Sequence, residues 1–488
     1  MSSSINQKMA RGMAWMVAAR LADRSVGLVS TVILARLLVP GDFGLVAMAT
    51  AIGGLLDLLG AFSFDVALIH KNKPERKHYD TAWTFTVLFG LLCGLGMIAL
   101  AQLAAGFYNE PRLAPVMYVL SFSIIVASCN NIGVVDFRKE LNFRQEFIFI
   151  FVRRIVSFVI TIAAALAFRS YWALLIGITV GRIVNCAMSY TMNSYRPRFT
   201  FEAAGELFHF SKWLFINNLL NFLRHDGCTF IIGRMFGATG LGIYSVSYEL
   251  SNLPTTELVA PINRVAFPGY AKMQTAEAIR TSYLTLLGLI SLVIVPIGIG
   301  IAAVAEPMVL TLLGPKWIEG AHLIAVLALS GAIMATQTNN TSVYLAMGTP
   351  QKITVAQGIY LLLLFPALYL SLKRWGIAGA GYAYLVAQLV DAAIQTSMSR
   401  RQLGFGWDDV RRVVWRPLAA SAVMYFTVVA VDSRVAHLPS MARLAIDIPA
   451  GALTYAGVIL LLWLASARPQ GAETLVLARA RFIPQPTA

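Results

Sequence analysis

Long apolar runs, separated by short polar breaks, follow one another along almost the whole of this chain. Fourteen are present, at roughly residues 12–37, 43–69, 81–105, 113–135, 146–168, 170–192, 210–235, 240–266, 279–304, 320–346, 352–373, 376–398, 413–432 and 443–466. Most span about 20–26 residues, and at a rise of 1.5 Å per residue each is long enough to cross ~30 Å of hydrocarbon as a helix. The pattern predicts an all-α polytopic membrane protein with about 14 transmembrane helices.

The runs are not independent of one another. ILARLLVPGDFGLVAMATAI at residues 33–52 returns as IIGRMFGATGLGIYSVSYEL at residues 231–250, a constant offset of 198 residues. Ile33 matches Ile231, Arg36 matches Arg234 and Gly44 matches Gly242, and the same offset carried backwards puts Trp15 on Trp213. Each copy reads as a long helix, a tight turn and a second long helix. The copies open at the first and seventh spans, an even separation, so both enter the membrane in the same direction. This predicts two parallel-repeat six-helix lobes around a central cavity, a design that suggests a transporter. The expected organisation is an N-terminal lobe over 1–195, a cytoplasmic inter-lobe linker over 196–209 and a C-terminal lobe over 210–400. Two additional transmembrane helices over 401–466 and a cytoplasmic tail over 467–488 complete it. Pro254, Pro261 and Pro268 fall seven residues apart in the eighth span, where they free backbone carbonyls and introduce kinks.

Composition agrees with this class: 58% of the 488 residues are hydrophobic and 13% charged, against roughly 25–35% charge on a soluble surface. The excess of 39 Lys+Arg over 24 Asp+Glu invites a nucleic-acid reading, but its placement argues otherwise. When loops are assigned alternately to two sides, 23 cations fall on the side of the N-terminus and 7 on the other. That is the positive-inside bias, and it predicts cytoplasmic N- and C-termini. Cys93, Cys129, Cys186 and Cys228 all lie in apolar spans without a CxxC spacing, as small buried hydrophobes do. The first span is long and charged, unlike a cleaved signal.

No enzyme motif stands out: the sequence has no G-x-x-x-x-G-K-[ST], H-E-x-x-H or G-x-S-x-G. No cofactor or metal is expected, and transport work would come from an ion gradient or the membrane potential. The positive signal is arginine at membrane depth, where a charge costs about 2.5–3.5 kcal/mol unless it faces protein or water. Arg20, Asp23 and Arg24 share one face of the first helix at i, i+3 and i+4, and their surplus positive charge points to an anion site. Arg224 and Asp226, beside Asn217, Asn218 and Asn221, form the rough counterpart in the seventh span, and Arg182 is central in the sixth. Arg20, Arg24, Arg182 and Arg224 are therefore the candidate anion ligands, with Asp23 and Asp226 as candidates for ion coupling. Arg153 and Arg154 lie two turns into the fifth span, where snorkelling to the interface competes with a cavity role. Arg36 and Arg234 read as structural anchors. Asp57, Asp65, Glu249, Glu257 and Asp391 also lie within spans, with arginine pairing as their default. Asn217, Asn218, Asn221, Asn339 and Asn340 are candidate sugar contacts. For Asn339 and Asn340, as for Gln337, Gln357 and Gln388, bracing between helices is the alternative.

At Ala35-Arg36-Leu37-Leu38-Val39-Pro40-Gly41-Asp42-Phe43-Gly44-Leu45, at residues 241–273, at LLGPKW (312–317) and at YLAMGTP (344–350), the chain resembles a known family. These segments are similar to those of bacterial polysaccharide flippases of the Wzx type, within the multidrug/oligosaccharidyl-lipid/polysaccharide exporter superfamily. The resemblance covers nearly the whole chain. It implies alternating-access transfer of undecaprenyl-pyrophosphate-linked oligosaccharide across the bacterial inner membrane, for exopolysaccharide, O-antigen or capsule assembly. The implied partners are that lipid-linked substrate, membrane lipids, a polysaccharide polymerase and a chain-length regulator, and no nucleic acid. In peptidoglycan-precursor relatives cavity arginines contact the pyrophosphate and two extra C-terminal helices form a groove for the lipid tail. Arg24 and the thirteenth and fourteenth helices look similar in role. Two alternatives are a multidrug exporter of the same superfamily, disfavoured by surplus arginine, and a membrane-embedded polymerase or ligase, disfavoured by short external loops.

Overall fold

The computed structural model describes residues 22–58, 68, 75–140, 142–205, 218–273, 275–467 and 472–474, without the side chains of 253–256, 260, 261 and 263–265. Arg20, Asn217 and the side chains of Pro254 and Pro261 lie outside the described residues. Among those described, the secondary structure is helical, with no strand.

All fourteen expected spans meet a helix. Residues 22–37 form α1, Pro40–Asp57 α2, Arg76–Tyr108 α3, Leu113–Ser128 α4, Phe143–Phe168 α5 and Trp172–Met192 α6. The run Gly227–Lys272 is broken at Gly237 (φ 64°, ψ −167°), giving arms α7 (227–236) and α8 (238–272). Ala276–Ala303, Gly320–Ala346, Gln351–Trp375, Ala378–Leu403, Trp407–Arg434 and Ser440–Ala465 are α9 to α14. Among the described residues eight of these are long and apolar enough to cross a membrane on their own, and a ninth if α4 and the bent Ile132–Lys139 segment (65°) count as one. The protein is a multi-pass membrane protein.

The repeat is visible in the backbone. In the first copy α1 and α2 are separated at Val39, which is extended (φ −105°, ψ 157°) and precedes Pro40. In the second copy the break is at Gly237, and 237 − 39 reproduces the offset of 198 residues seen in the sequence. The first copy uses Pro to start a helix after an extended residue; the second uses a glycine whose positive φ and extended ψ suit no residue with a Cβ. Gly44 and Gly242 lie where the two copies cross. A Cβ on Gly44 would collide with the Ala238 carbonyl, and one on Gly242 with the Pro40 carbonyl, so backbone meets backbone there.

Packing repeats as well. The chain divides into two compact units, Met1–Ile243 and Tyr244–Ala488. In the first, α3 packs on α4, α5 on α6 and α4 on α6; in the second, α9 packs on α10, α11 on α12 and α10 on α12. Helices α9 to α12 thus repeat among themselves these three pairings of α3 to α6, as a parallel duplication requires. The helices α13 and α14 have no counterpart: α13 lies on α9, and α14 on α13 and on the short helix Ala305–Leu312. Outward positions such as Leu95, Leu103, Phe122, Leu166, Leu362, Phe426 and Leu453 are exposed and apolar, as a hydrocarbon solvent demands.

The expected linker begins as an extended stretch bound to the start of α3. The buried Asp80 carboxylate accepts from Tyr195 Oη (2.6 Å) and from the Arg198 backbone N–H (2.8 Å), with Arg76 Nε 3.4 Å away. Burial and this carboxylate push the Tyr195 phenol well above its ordinary range.

A candidate anion-binding cavity

The first unit contains an open cavity of about 590 Å³. Its wall is a set of helical stripes. Thr86, Phe89, Gly90 and Cys93 of α3 follow i, i+3, i+4, i+7, and so do Ile178, Gly181, Arg182 and Asn185 of α6. Between them come Ile124, Ala127 and Ser128 of α4, Arg153, Arg154 and Ser157 of α5, and Asp57 at the end of α2. Small residues bring the helices together around it: Ser157 Oγ donates to the Gly177 carbonyl at 2.9 Å, an approach that a side chain at 177 would block against Thr161.

Three guanidinium groups, Arg153, Arg154 and Arg182, share this wall with one carboxylate, Asp57. Asp57 and Arg182 attract each other. Arg154 Nε is 3.4 Å from Asp23 Oδ1 of α1. Its guanidinium passes over Gly27, where a Cβ would stand 2.5 Å from Arg154 Nη2. Asp23 and Gly27, one turn apart, therefore form a seat that aims Arg154. Among the described residues Arg153 has no ion-pair partner. Counting Asp23, three positive charges stand against two negative ones. Asn130 Oδ1 and Asn185 Oδ1, both on the wall, are buried acceptors with no hydrogen-bond partner among the described residues. The arrangement is cationic and still has unused hydrogen-bonding capacity, which suits a polar anion.

Of the residues singled out in the sequence, Arg182 lines this cavity and Asp23 supports it from behind. Asp23 is ion-paired across to Arg154 of α5, a partner from another helix that the shared face with Arg20 and Arg24 does not reveal. Arg24 is exposed on α1 and outside the cavity wall. Arg224, in the helical stretch 218–225, and Asp226, at the turn preceding α7, are half-buried, as is Asn218, and Asn221 is exposed; none of the four is on this wall. The stripe Arg153–Arg154–Ser157, facing Gly181–Arg182–Asn185, is the signal that separates a cavity arginine from a snorkelling one.

Asn339 and Asn340 are elsewhere and 1% and 0% exposed. Tyr270 Oη donates to Asn339 Oδ1 (2.8 Å), and Asn339 Nδ2 to the Tyr283 carbonyl (3.3 Å). Asn340 Oδ1 accepts from Tyr283 Oη (2.8 Å) and Ser399 Oγ (2.7 Å), while its Nδ2 donates to Gln337 Oε1 (2.9 Å). These bonds tie α8, α9, α10 and α12 together. Both amides are buried and hydrogen-bonded between helices, the arrangement that the bracing alternative describes. Arg234 lies 5.9 Å from the Phe107 ring centroid at the end of α3, as expected of an anchor.

The chain is similar to curated proteins of surface-polysaccharide synthesis. It is 24% identical to the lipopolysaccharide biosynthesis protein WzxC of Escherichia coli K12, over 86% of each chain. It is 25% identical to the succinoglycan biosynthesis transport protein ExoT of Rhizobium meliloti, over 68% of each. It is also 23% identical to the teichuronic acid biosynthesis protein TuaB of Bacillus subtilis, over 80% of this chain and 83% of that one. In fold it resembles a solved lipid II flippase, MurJ, with a TM-score of 0.74 and 13% identity, covering 93% of this chain and all of that one. A multidrug-resistance MATE transporter in an inward-facing conformation follows at a TM-score of 0.58 and 13% identity, over 80% of this chain and 98% of that one. The model of the polysaccharide biosynthesis protein family matches residues 33–322, more than half of the chain, and the protein belongs to that family.

Proposed function

We propose that this protein is a flippase that carries lipid-linked oligosaccharide repeat units across the bacterial inner membrane, for assembly of a surface polysaccharide. The observation that carries the reading is the arginine-lined cavity at membrane depth, joined to relatives named for polysaccharide synthesis and transport. A pyrophosphate linkage is the part of such a substrate that hydrocarbon rejects most strongly. Arg153, Arg154 and Arg182 offer it charge-assisted, bidentate hydrogen bonds, and the Asn130 and Asn185 carbonyl oxygens accept from sugar hydroxyls. The undecaprenyl tail stays in lipid. The surplus of arginine opposes the cationic substrates of a multidrug exporter. The charge bias of the loops supports cytoplasmic termini, with the membrane potential or an ion gradient as the driving force of the proposed cycle.

The test is a knockout, with separate assay of each leaflet for lipid-linked repeat units. Accumulation on the cytoplasmic leaflet, reversed by the wild-type gene, is the expected result. Normal transfer in the knockout overturns the reading. Orientation is checked by single cysteines: one at Asn109 or Glu319 should react with an impermeant thiol reagent from outside, and one at Asn72 should not.

A further inference from the structure

The turn joining α13 to α14 holds a second set of charges, remote in sequence from the cavity. Arg443 grips Asp432 with two hydrogen bonds, Nε to Oδ1 and Nη2 to Oδ2, both 2.7 Å. Glu306, at the start of the short helix Ala305–Leu312, is 3.7 Å from Arg443 Nη1 and largely exposed. One helical turn beyond Arg443 comes Asp447, which is 0% exposed. Neither of its carboxyl oxygens has a donor among the described residues. The charged groups that act on it are the Asp432 carboxyl, within hydrogen-bonding reach, and the Arg443 guanidinium that grips Asp432.

That contact sets a chemical requirement. Ionised carboxylates are acceptors only, so two of them make a hydrogen bond only when a proton lies between them. Without it, two carboxylates and one guanidinium leave a net negative charge beside a fully buried group, which is strongly unfavourable. With one proton the cluster is neutral, and Asp432 keeps both bonds to Arg443. The elements packed on α14 are α13, the short helix and α9. The first supplies Asp432 and the second Glu306; the ionisable residues of α9, Glu277, Arg280 and Tyr283, are at its other end, where Arg280 pairs with Asp409 at 2.9 Å. Arg434 and His437, on the turn itself, are exposed. Among the described residues no group of three or more His, Cys, Asp or Glu side chains is placed to hold a metal ion.

We propose that Asp432 and Asp447 are a proton-binding site in which two carboxyl groups share one proton between α13 and α14. Its occupancy is set by the pH at that end of the helix pair. Losing the proton removes the Asp432–Asp447 bond and leaves mutual repulsion in its place, so deprotonation loosens α14 from α13. This site belongs to the helix pair that the duplication lacks, and it stands whether or not the cavity carries a pyrophosphate.

The proton is read directly by infrared spectroscopy of the full-length protein in lipid nanodiscs, titrated in chloride salts of potassium or sodium. The wild type should show the C=O stretch of a protonated aspartic acid that disappears as pH rises. Asp447→Asn and Asp432→Asn should each remove an amplitude equal to one carboxyl group, because each leaves a lone carboxylate for Arg443 to hold ionised. Asp447→Glu, which retains the acid, should shift the band without losing it, and it tests the assignment should an Asn variant fail to fold. An unchanged band in the Asn variants or in Asp447→Glu overturns the proposal. So does loss in Asp447→Asn alone, which would mean one neutral acid with no sharing. A titration midpoint displaced by sodium but not potassium also overturns it, in favour of a metal-ion site.

Discussion

Polar side chains sit at membrane depth in both units, yet they are treated in opposite ways. In the second unit the amides of Asn339 and Asn340 are satisfied by Tyr270, Tyr283, Ser399 and Gln337. In the first, Asn130 and Asn185 present carbonyl oxygens to an open cavity, next to three arginines and with no hydrogen-bond partner among the described residues. The residue type is the same and the physical state is different. A satisfied amide holds helices together; an unsatisfied one beside surplus charge is available to a ligand. What distinguishes a site from a brace in this membrane protein is hydrogen-bond accounting, and polarity alone does not reveal it.

The sharpest way to break this contrast is to remove charge from the cavity. Arg154→Ala and Arg182→Ala should each lower export of lipid-linked repeat units by roughly thirtyfold or more, the effect of about 2 kcal/mol for truncating a desolvated charged contact. Membrane abundance should stay normal, and Lys should restore only part of the export because it lacks the guanidinium fork. Complementation of the knockout with quantitative immunoblotting measures both. Wild-type export by the Arg154→Ala, Arg182→Ala double variant would remove the cavity from the mechanism.

The brace should respond in the other way. Asn340→Leu strands the Tyr283 hydroxyl and leaves Ser399 Oγ only its contact with Tyr344 Oη at 2.9 Å, so it should destabilise the protein by about 1–3 kcal/mol, seen as a lower thermal midpoint in detergent. Export per folded molecule should be unchanged. If export per molecule fell while the midpoint stayed fixed, the amide would be a ligand contact after all.

A backbone crossing is a third kind of region, with neither charge nor amide. Gly44→Ala forces a methyl group into the Ala238 carbonyl, and overpacking of this sort costs about 1–3 kcal/mol. The same substitution at Gly106, where nothing lies within 4 Å, should be neutral within about 0.5 kcal/mol. The smallest effect is expected at the loop between α3 and α4. A hydrogen bond from Arg112, the largest influence there, holds the Glu110 carboxyl below its usual range. A depressed folded-state value adds stability above the unfolded value, and that stability is lost as pH falls through the folded one. Glu110→Gln should therefore cost under about 1 kcal/mol at neutral pH, and the difference from wild type should vanish in acid.

The sequence disclosed most of the fold because apolar length is a one-dimensional property. A span is recognised by its own residues, and the 198-residue offset carried the break at Val39 onto Gly237 without any knowledge of contacts. The candidate site was less legible, because facing a cavity is a relation between helices. Arg182 was found from its depth. Arg153 and Arg154, near an interface, read equally well as snorkelling until α6 supplied the opposite wall. Asp23 has arginines on its own helix, yet the Arg154 that it pairs with is on α5, and no spacing within α1 encodes that. The polar run at Asn339–Asn340 was legible as polar, but its partners come from three other helices.

The crossing at Gly44 and Gly242 carries an implication about origin. Under the offset, 44 becomes 242 and 40 becomes 238, so the collision of Gly44 with the carbonyl of 238 and that of Gly242 with the carbonyl of 40 are one contact written twice. That reciprocity is the mark of an isologous interface, in which a surface meets a copy of itself about a two-fold axis. A single-copy ancestor would have made the same contact as a homodimer, where one mutation alters both sides together. Fusion into one chain separated the two sides: the turn could become Pro-led in one copy and Gly-led in the other, while each of the two glycines still limits what the other copy can accept.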